Sequence, residues 1–141
     1  MTLRVLVIDD NADIRELLET ALSGKGYEVT TLSDATQFPY INMATCPCPV
    51  GRPCTDILIA DIVMPKIDGV DFFRKLKDAG CHPLRWGTAA IMSGYLTIHY
   101  MNELNNLGVH YFRKPFELGE ILAWLEECQQ QLNAQQQAQQ Q

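Results

Sequence analysis

The sequence predicts an α/β fold, a doubly wound parallel sheet of five strands with helices on both faces. Five short apolar runs are spaced along the 141 residues, and amphipathic segments follow four of them. Strands that alternate with helices pair in parallel, through right-handed crossovers. Several of the apolar runs end in an acidic, hydroxyl or amine side chain, so polar groups should collect at one edge of the sheet.

The predicted strands are short apolar runs. The first, from Arg4 to Ile8, is continuous and β-branched, which is typical of a strand buried on both faces of a parallel sheet. The second is more polar and is expected at an edge of the sheet. The strands cover residues 4–8, 27–32, 56–60, 88–92 and 109–113.

Amphipathic helices are predicted after the first, third, fourth and fifth strands. The first helix has its apolar residues at helical spacing, which puts them on one face. These residues are Ile14, Leu17, Leu18, Ala21 and Leu22. The other three helices are expected between an Asp68 cap and Gly80, over residues 96–107, and from Leu118 onward.

The segment after the second strand, residues 33–55, is the least regular part of the chain. Three prolines and a glycine exclude regular structure over residues 46–54. A short helix over residues 39–44 stays open.

The chain is interpreted as one domain, residues 1–128, followed by a tail. Nine of the thirteen residues in the 129–141 tail are Gln. The tail has no apolar stripe, so it either extends the last helix into solvent or is disordered.

Composition excludes several classes of protein. The net charge of −6 argues against binding nucleic acid or an anionic membrane through bulk electrostatics. No apolar run approaches the roughly 18 residues of a membrane span, and no secretory signal pattern is present, so we expect a cytoplasmic protein. Five cysteines, an odd number, argue against a disulfide framework in that compartment.

The polar residues at the predicted strand ends form a candidate site for phosphoryl chemistry. Asp9 and Asp10 follow the first strand, Asp61 the third, Ser93 the fourth and Lys114 the fifth. Clustered carboxylates need a cation, and hard oxygen ligands favour Mg²⁺. A carboxylate can also attack phosphorus to form an acyl phosphate, with the ammonium and the hydroxyl stabilising the transferring group.

Four fragments in this order resemble the receiver domain of bacterial two-component response regulators, over residues 4 to about 128. They are Asp9-Asp10, the DIVMPKIDG segment of residues 61–69, Ser93-Gly94, and Lys114-Pro115 with Phe116. The resemblance implies a flavodoxin-like strand order, 2-1-3-4-5. It also implies a stand-alone regulator of the chemotaxis type, a signalling domain that catalyses only its own phosphorylation and dephosphorylation.

The resemblance also assigns roles to single residues. Asp61 is the phosphoacceptor, and the donor is a phosphohistidine on a sensor kinase or a phosphotransfer protein. The remaining roles are Mg²⁺ binding by Asp9, Asp10, Asp61 and the Val63 carbonyl, catalysis by Ser93 and Lys114, a cis bond at Pro115, and switching by Ser93 and Tyr111.

The output surface implied by the resemblance is built from the fourth helix, the fifth strand and the fifth helix. Its partner is a downstream protein, and a homodimer through the same surface is left open. No output domain follows in the sequence, so we expect the signal to be passed on by docking, unless the chain is part of a larger regulator.

A proline-rich loop departs from the family pattern. It contains Cys46, Cys48 and Cys54, and Cys81 and His82 lie in a loop expected at the same end of the sheet. Four sulfur or nitrogen ligands would suit zinc or an iron–sulfur cluster. The alternative is a loop stiffened by proline, with thiols that serve no function.

Three rival functions are weaker. A phosphohydrolase of the haloacid dehalogenase type needs an acid two residues after its nucleophile, where this chain has Asn11 after Asp9. A flavodoxin-like electron carrier needs a phosphate loop at the position that holds two acids here. A binding module that is never phosphorylated would not need the complete set of acids, serine and lysine.

Two bulky side chains predict slow hydrolysis of the phosphoryl group. Val63 and Tyr95 lie two positions after Asp61 and Ser93, near the approach of a hydrolytic water, and neither is a good base. We expect phosphorylated wild type to decay more slowly than Val63→Asn combined with Tyr95→Glu, measured as phosphoprotein half-life. A shorter half-life for wild type would contradict this.

Overall fold

Five parallel strands form one sheet in the order β2-β1-β3-β4-β5, as predicted. The computed structural model describes residues 2–38, 55–61 and 68–139, with side chains through residue 135. Every strand agrees with its predicted range to within one residue at each end. The strands are β1 (Arg4–Ile8), β2 (Glu28–Leu32), β3 (Ile57–Asp61), β4 (Ala89–Ser93) and β5 (His110–Arg113).

The described helices include one that the sequence analysis did not predict. They are α1 (Ala12–Ser23), α2 (Gly69–Asp78), α3 (His82–Trp86), α4 (Ile98–Leu107) and α5 (Leu118–Gln139), with a 3-10 turn at Ala35–Gln37. Helix α3 has only five residues, too few to show a period. Pro83 suits its first turn, and Gly87 ends it with a left-handed φ of 73°. The segment proposed for a helix over 39–44 lies outside the described residues.

The sheet separates two apolar layers, so helices cover both of its faces. Alternate strand residues point to opposite sides, as the period of two requires. One layer joins Leu6, Ile8, Leu58 and Ile91 to α2, α3 and α4. The other joins Val5, Val7, Ile57 and Met92 to α1 and α5. Within the described ranges, no helix is both long and apolar enough to cross a bilayer.

The Gln-rich segment continues helix α5 to Gln139. Its Leu132 is 5% exposed and joins the same apolar layer as α1 and the rest of α5. The Gln131 side-chain amide donates to the Trp86 carbonyl, which ties the helix to the end of α3. The sequence analysis left open a solvated extension of the last helix or disorder; the helix does extend to Gln139, and the burial of Leu132 in its first turn is what the sequence did not indicate. A single Leu gives no stripe in the sequence, but it is enough to anchor one turn of helix.

We expect Leu132→Ala to lower the free energy of unfolding by about 2 kcal/mol, because a buried leucine is replaced by a cavity. The measurement is urea unfolding followed by circular dichroism. Asn133→Ala, at an exposed neighbouring position of the same helix, is the matched control and should change stability little. Equal stability of the two variants would show that the burial of Leu132 adds nothing to the stability of the fold.

Candidate functional site

Four strands deliver their polar ends to one edge of the sheet. Parallel pairing aligns Ile8 with Ala60, one residue before Asp9 and Asp61 respectively. The last residue of β4, Ser93, pairs with Arg113, and Lys114 follows directly. The predicted convergence of these side chains is therefore present.

Three carboxylates meet at the ends of β1 and β3. Asp9, Asp10 and Asp61 each offer one oxygen, and these oxygens all lie within 4.8 Å of one another. Asp9 and Asp61 are buried, whereas Asp10 is exposed and leaves the cluster open to solvent. All three donors are hard anionic oxygens, and the open side leaves room for water, so the cluster fits Mg²⁺. Val63, whose carbonyl is the fourth predicted ligand, lies outside the described residues.

Lys114 bridges two of the acids. Its Nζ lies 2.9 Å from Asp9 Oδ2 and 2.8 Å from Asp61 Oδ2, and it donates a hydrogen bond to each. Partial burial alone would lower the pKa of Lys114, but the hydrogen bonds to Asp61 and Asp9 and their charges outweigh burial and raise it. The side chain therefore stays cationic and links β5 to β1 and β3.

Every oxygen of Asp9 accepts a hydrogen bond. Oδ1 accepts from the Asn11 backbone N–H at 2.9 Å, and Oδ2 accepts from Lys114. The backbone carbonyl accepts from Arg15 Nη1 at 2.7 Å. Asp9 is fully buried, so this network fixes the turn that leads into Asp10.

Arg15 is a site residue that the sequence analysis missed. It lies one helical turn after Asn11, whose side chain caps α1 by accepting from Asp13 and Ile14. From there its guanidinium points back toward the end of β1. An arginine in the second turn of the helix that follows an acidic strand end is the sequence signal that could have revealed it.

The two predicted switch residues, Ser93 and Tyr111, have different surroundings. Ser93 is 1% exposed, and its Oγ accepts from the Tyr95 backbone N–H at 2.8 Å. Its carbonyl accepts from the Lys114 backbone N–H at 2.8 Å. Tyr111 is half-buried against the layer that contains α4. The Lys114–Pro115 peptide bond is cis, the geometry that the sequence resemblance implied.

Helix α4 is tied to the start of α2. Asp68 caps α2 by accepting from Val70 N at 2.8 Å, and its other oxygen accepts from the Tyr100 hydroxyl at 3.3 Å. The Asp68 charge raises the pKa of Tyr100. At the far end, Lys77 Nζ donates to the last carbonyls of α4. Movement of α4 would therefore disturb contacts at both ends of α2.

The second metal or redox site remains a prediction. Cys46, Cys48 and Cys54 lie outside the described residues. Cys81 and His82 are buried before β4, at the sheet edge opposite the carboxylates. His82 Nδ1 has no hydrogen-bond partner in the described part of the chain. Burial lowers the pKa of His82, and nearby Arg85 lowers it further.

A family model for the response regulator receiver domain matches residues 5–126 of this chain. That range includes all of β2 to β5, β1 apart from Arg4, and all five polar residues at the strand ends.

Relatives and solved structures agree with this match. The response regulator MprA of Mycobacterium bovis is 32% identical over 124 residues, and the DNA-binding response regulator MtrA of Mycobacterium tuberculosis is 29% identical over 123. Each alignment covers 87% of this chain and 49% of the relative. The chain thus spans about half the length of these curated relatives. The N-terminal domain of an uncharacterized protein from Wolinella succinogenes superposes with a TM-score of 0.76 and 27% identity, covering 95% of this chain and 99% of that one.

We expect Arg15→Met to weaken Mg²⁺ binding by roughly three- to tenfold, because a lost hydrogen bond of about 1 kcal/mol loosens the Asp9–Asp10 turn. Calorimetric titration of Mg²⁺ measures the change. Arg85→Met, which removes an exposed arginine at the opposite end of the sheet, serves as the control. Unchanged Mg²⁺ affinity in a stably folded Arg15→Met variant would rule out the positioning role.

Proposed function

This chain belongs to the family of response regulator receiver domains, and we propose that it accepts a phosphoryl group on Asp61 in a Mg²⁺-dependent reaction. One observation carries the proposal. The Lys114 ammonium lies 2.8 Å from Asp61 Oδ2, at an edge that also holds Asp9 and Asp10. A buried carboxylate beside a fixed cation and two further acids is the arrangement that in-line attack on phosphorus requires.

The reaction is a transfer between a nitrogen and an oxygen. An Asp61 carboxylate oxygen forms a bond to phosphorus while the bond from phosphorus to the donor's histidine nitrogen breaks. The electron pair returns to the imidazole, which takes up a proton from solvent. We propose that the donor is a phosphohistidine on a sensor histidine kinase or a phosphotransfer protein, since an imidazole ring is small enough to reach the buried Asp61 carboxylate.

Each side chain has a separate task in this scheme. Lys114 neutralises phosphoryl oxygens as charge develops, and the Ser93 hydroxyl donates a hydrogen bond to one of them. Asp9 holds its position through three hydrogen bonds. Mg²⁺ held by Asp9, Asp10, Asp61 and the Val63 carbonyl would supply further charge neutralisation at the phosphoryl oxygens.

The conformational change that follows phosphorylation begins at Ser93 and Tyr111. When Ser93 turns toward the phosphoryl group, the loop between β4 and α4 must follow, because Tyr95 N–H is bonded to its hydroxyl. Tyr111 packs against the same layer as α4. We propose that this coupling changes the surface formed by α4, β5 and α5, and with it the binding of a downstream protein or a second copy of the chain. We expect the reaction in the cytoplasm, where histidine kinases have access to ATP.

The proposal predicts that incubation with acetyl phosphate and Mg²⁺ adds one phosphoryl group to wild type, measured by intact mass. Asp61→Asn should gain none. Lys114→Met should react roughly 100-fold more slowly, because a preorganised charge at the transferring group is lost. Chelation of Mg²⁺ should stop the reaction in all forms.

Asp78→Asn, at an exposed position in α2, is the control and should react like wild type. A phosphoryl group on the Asp61→Asn variant would show that another residue is the acceptor. Acetyl phosphate and a phosphorylated histidine kinase could both fail to modify the wild type. That result would favour a binding module that has the receiver fold but is never phosphorylated.

A further inference from the structure

Helix α4 is anchored to the protein core by fewer side chains than helix α2, which packs beside it. Of the ten residues of α4, only Leu104 is buried, and Tyr100, Met101 and Leu107 are partly buried. Helix α2 has the same length and buries five residues. Because apolar stabilisation grows with the area removed from water, core packing holds α4 less firmly than it holds α2.

Polar contacts to α2 supply further attachment of α4. Their partners on α4 are three or four residues apart, which is one helical turn. The contacts are Tyr100 Oη to Asp68 Oδ2 at 3.3 Å, Arg74 Nη2 to Glu103 Oε1 at 3.5 Å, and Lys77 Nζ to the Leu107 carbonyl at 3.1 Å. The contacts of Arg74 and Lys77 are open to solvent, where such contacts contribute little. The contact of Tyr100 with Asp68 is partly buried.

The hydrogen bond between Tyr100 and Asp68 joins α4 to the chain segment that follows Asp61. Asp68 ends that segment and begins α2, where its Oδ1 accepts from Val70 N at 2.8 Å. This cap fixes the carboxylate, so that Oδ2 faces the Tyr100 hydroxyl. The negative charge of Asp68 raises the pKa of Tyr100, so the hydroxyl keeps its proton and remains a donor.

This hydrogen bond lies where the proposed conformational change would reach α4 first. Tyr95 N–H donates to the Ser93 hydroxyl, so movement of Ser93 displaces the loop before α4. Helix α4 begins at Ile98, and Tyr100 lies in its first turn. Displacement of the loop therefore acts on the turn that contacts Asp68. A contact made in only one of two states shifts the equilibrium toward that state by its own free energy.

We propose that the hydrogen bond from Tyr100 to Asp68 is a latch that holds α4 in its resting position and thereby weakens occupancy of the Asp61 site by a phosphoryl group. The latch rests on the proposed function and adds regulation to it. Neither residue belongs to the group of acids, serine and lysine at the strand ends, so the pair acts through the position of α4.

The test is the affinity of the full chain for beryllofluoride, a non-covalent mimic of the phosphoryl group, measured by calorimetry with Mg²⁺ present. Tyr100→Phe keeps the ring and removes only the hydroxyl. We expect this variant to bind beryllofluoride roughly three- to tenfold more tightly than wild type, the factor that corresponds to one net hydrogen bond. A contact with a structural role alone would lower stability and leave this affinity unchanged.

A second variant removes the same hydrogen bond from its other side. Asp68→Ser should also tighten beryllofluoride binding, because serine still caps α2 but is too short to reach Tyr100. The double variant should match either single variant, since both changes remove one contact. Effects that add in the double variant would show that the two residues act separately, which would overturn the latch.

Tyr27→Phe is the matched control. It removes a tyrosine hydroxyl that lies 3.4 Å from Gln129 Oε1, in the apolar layer on the other face of the sheet from α4. This variant should bind beryllofluoride like wild type. Unchanged affinity in a folded Tyr100→Phe variant, or equal tightening by Tyr27→Phe, would overturn the proposal.

Hydrogen exchange separates the latch from the phosphorylation chemistry. In the free protein, Tyr100→Phe should speed exchange of the α4 amides by a similar factor, because opening of α4 no longer breaks the contact with Asp68. This measurement needs no ligand at the Asp61 site. Unchanged exchange would overturn the latch. A wild type that does not bind beryllofluoride would instead contradict the proposed function, and exchange would still decide whether α4 is restrained.

Discussion

The contact on which the molecule depends is the bridge from Lys114 to two buried carboxylates of different strands. Two like charges about 4 Å apart repel by roughly 4 kcal/mol at an effective dielectric near 20. Asp9 and Asp61 are held at such an edge because one ammonium lies 2.9 and 2.8 Å from them. The bridge exists only if β1 and β3 are neighbours and β5 follows β4, so the strand order and the site depend on each other.

The same bridge bears on how the site would pass from its resting arrangement to the proposed reaction. With Lys114 between the acids, the resting arrangement is neutralised only in part, since three carboxylates share it. A divalent cation and then a phosphoryl group would each change the charge that Lys114 faces. The Ser93 hydroxyl accepts a hydrogen bond from the Tyr95 N–H in the loop before α4. A change in the hydrogen bonds of Ser93 would therefore be transmitted directly to that loop.

The strands and the acids could be read from sequence because their signals are local. The apolar run that ends at Ile8, with two acids after it, predicts a buried strand with a polar end, whatever structure the rest of the chain forms. Arg15 was missed because its partner is a backbone carbonyl, so no complementary side chain in the sequence draws attention to the contact. Helix α3 was missed because five residues cannot show a period. The role of Leu132 was missed because its neighbours are nearly all Gln.

The sequence by itself therefore determined the fold class, the strand limits to within one residue, and the residues that meet at the carboxylate edge. These follow from the period of apolar residues and from the rule that parallel strands end at one edge. Only the tertiary structure decided that Lys114 contacts both Asp9 and Asp61, and that Arg15 holds the Asp9 carbonyl. It also decided that the rings of His110 and Trp124 stack between β5 and α5. Such contacts join residues far apart in the chain, and their distances depend on how the layers pack, which no local pattern specifies.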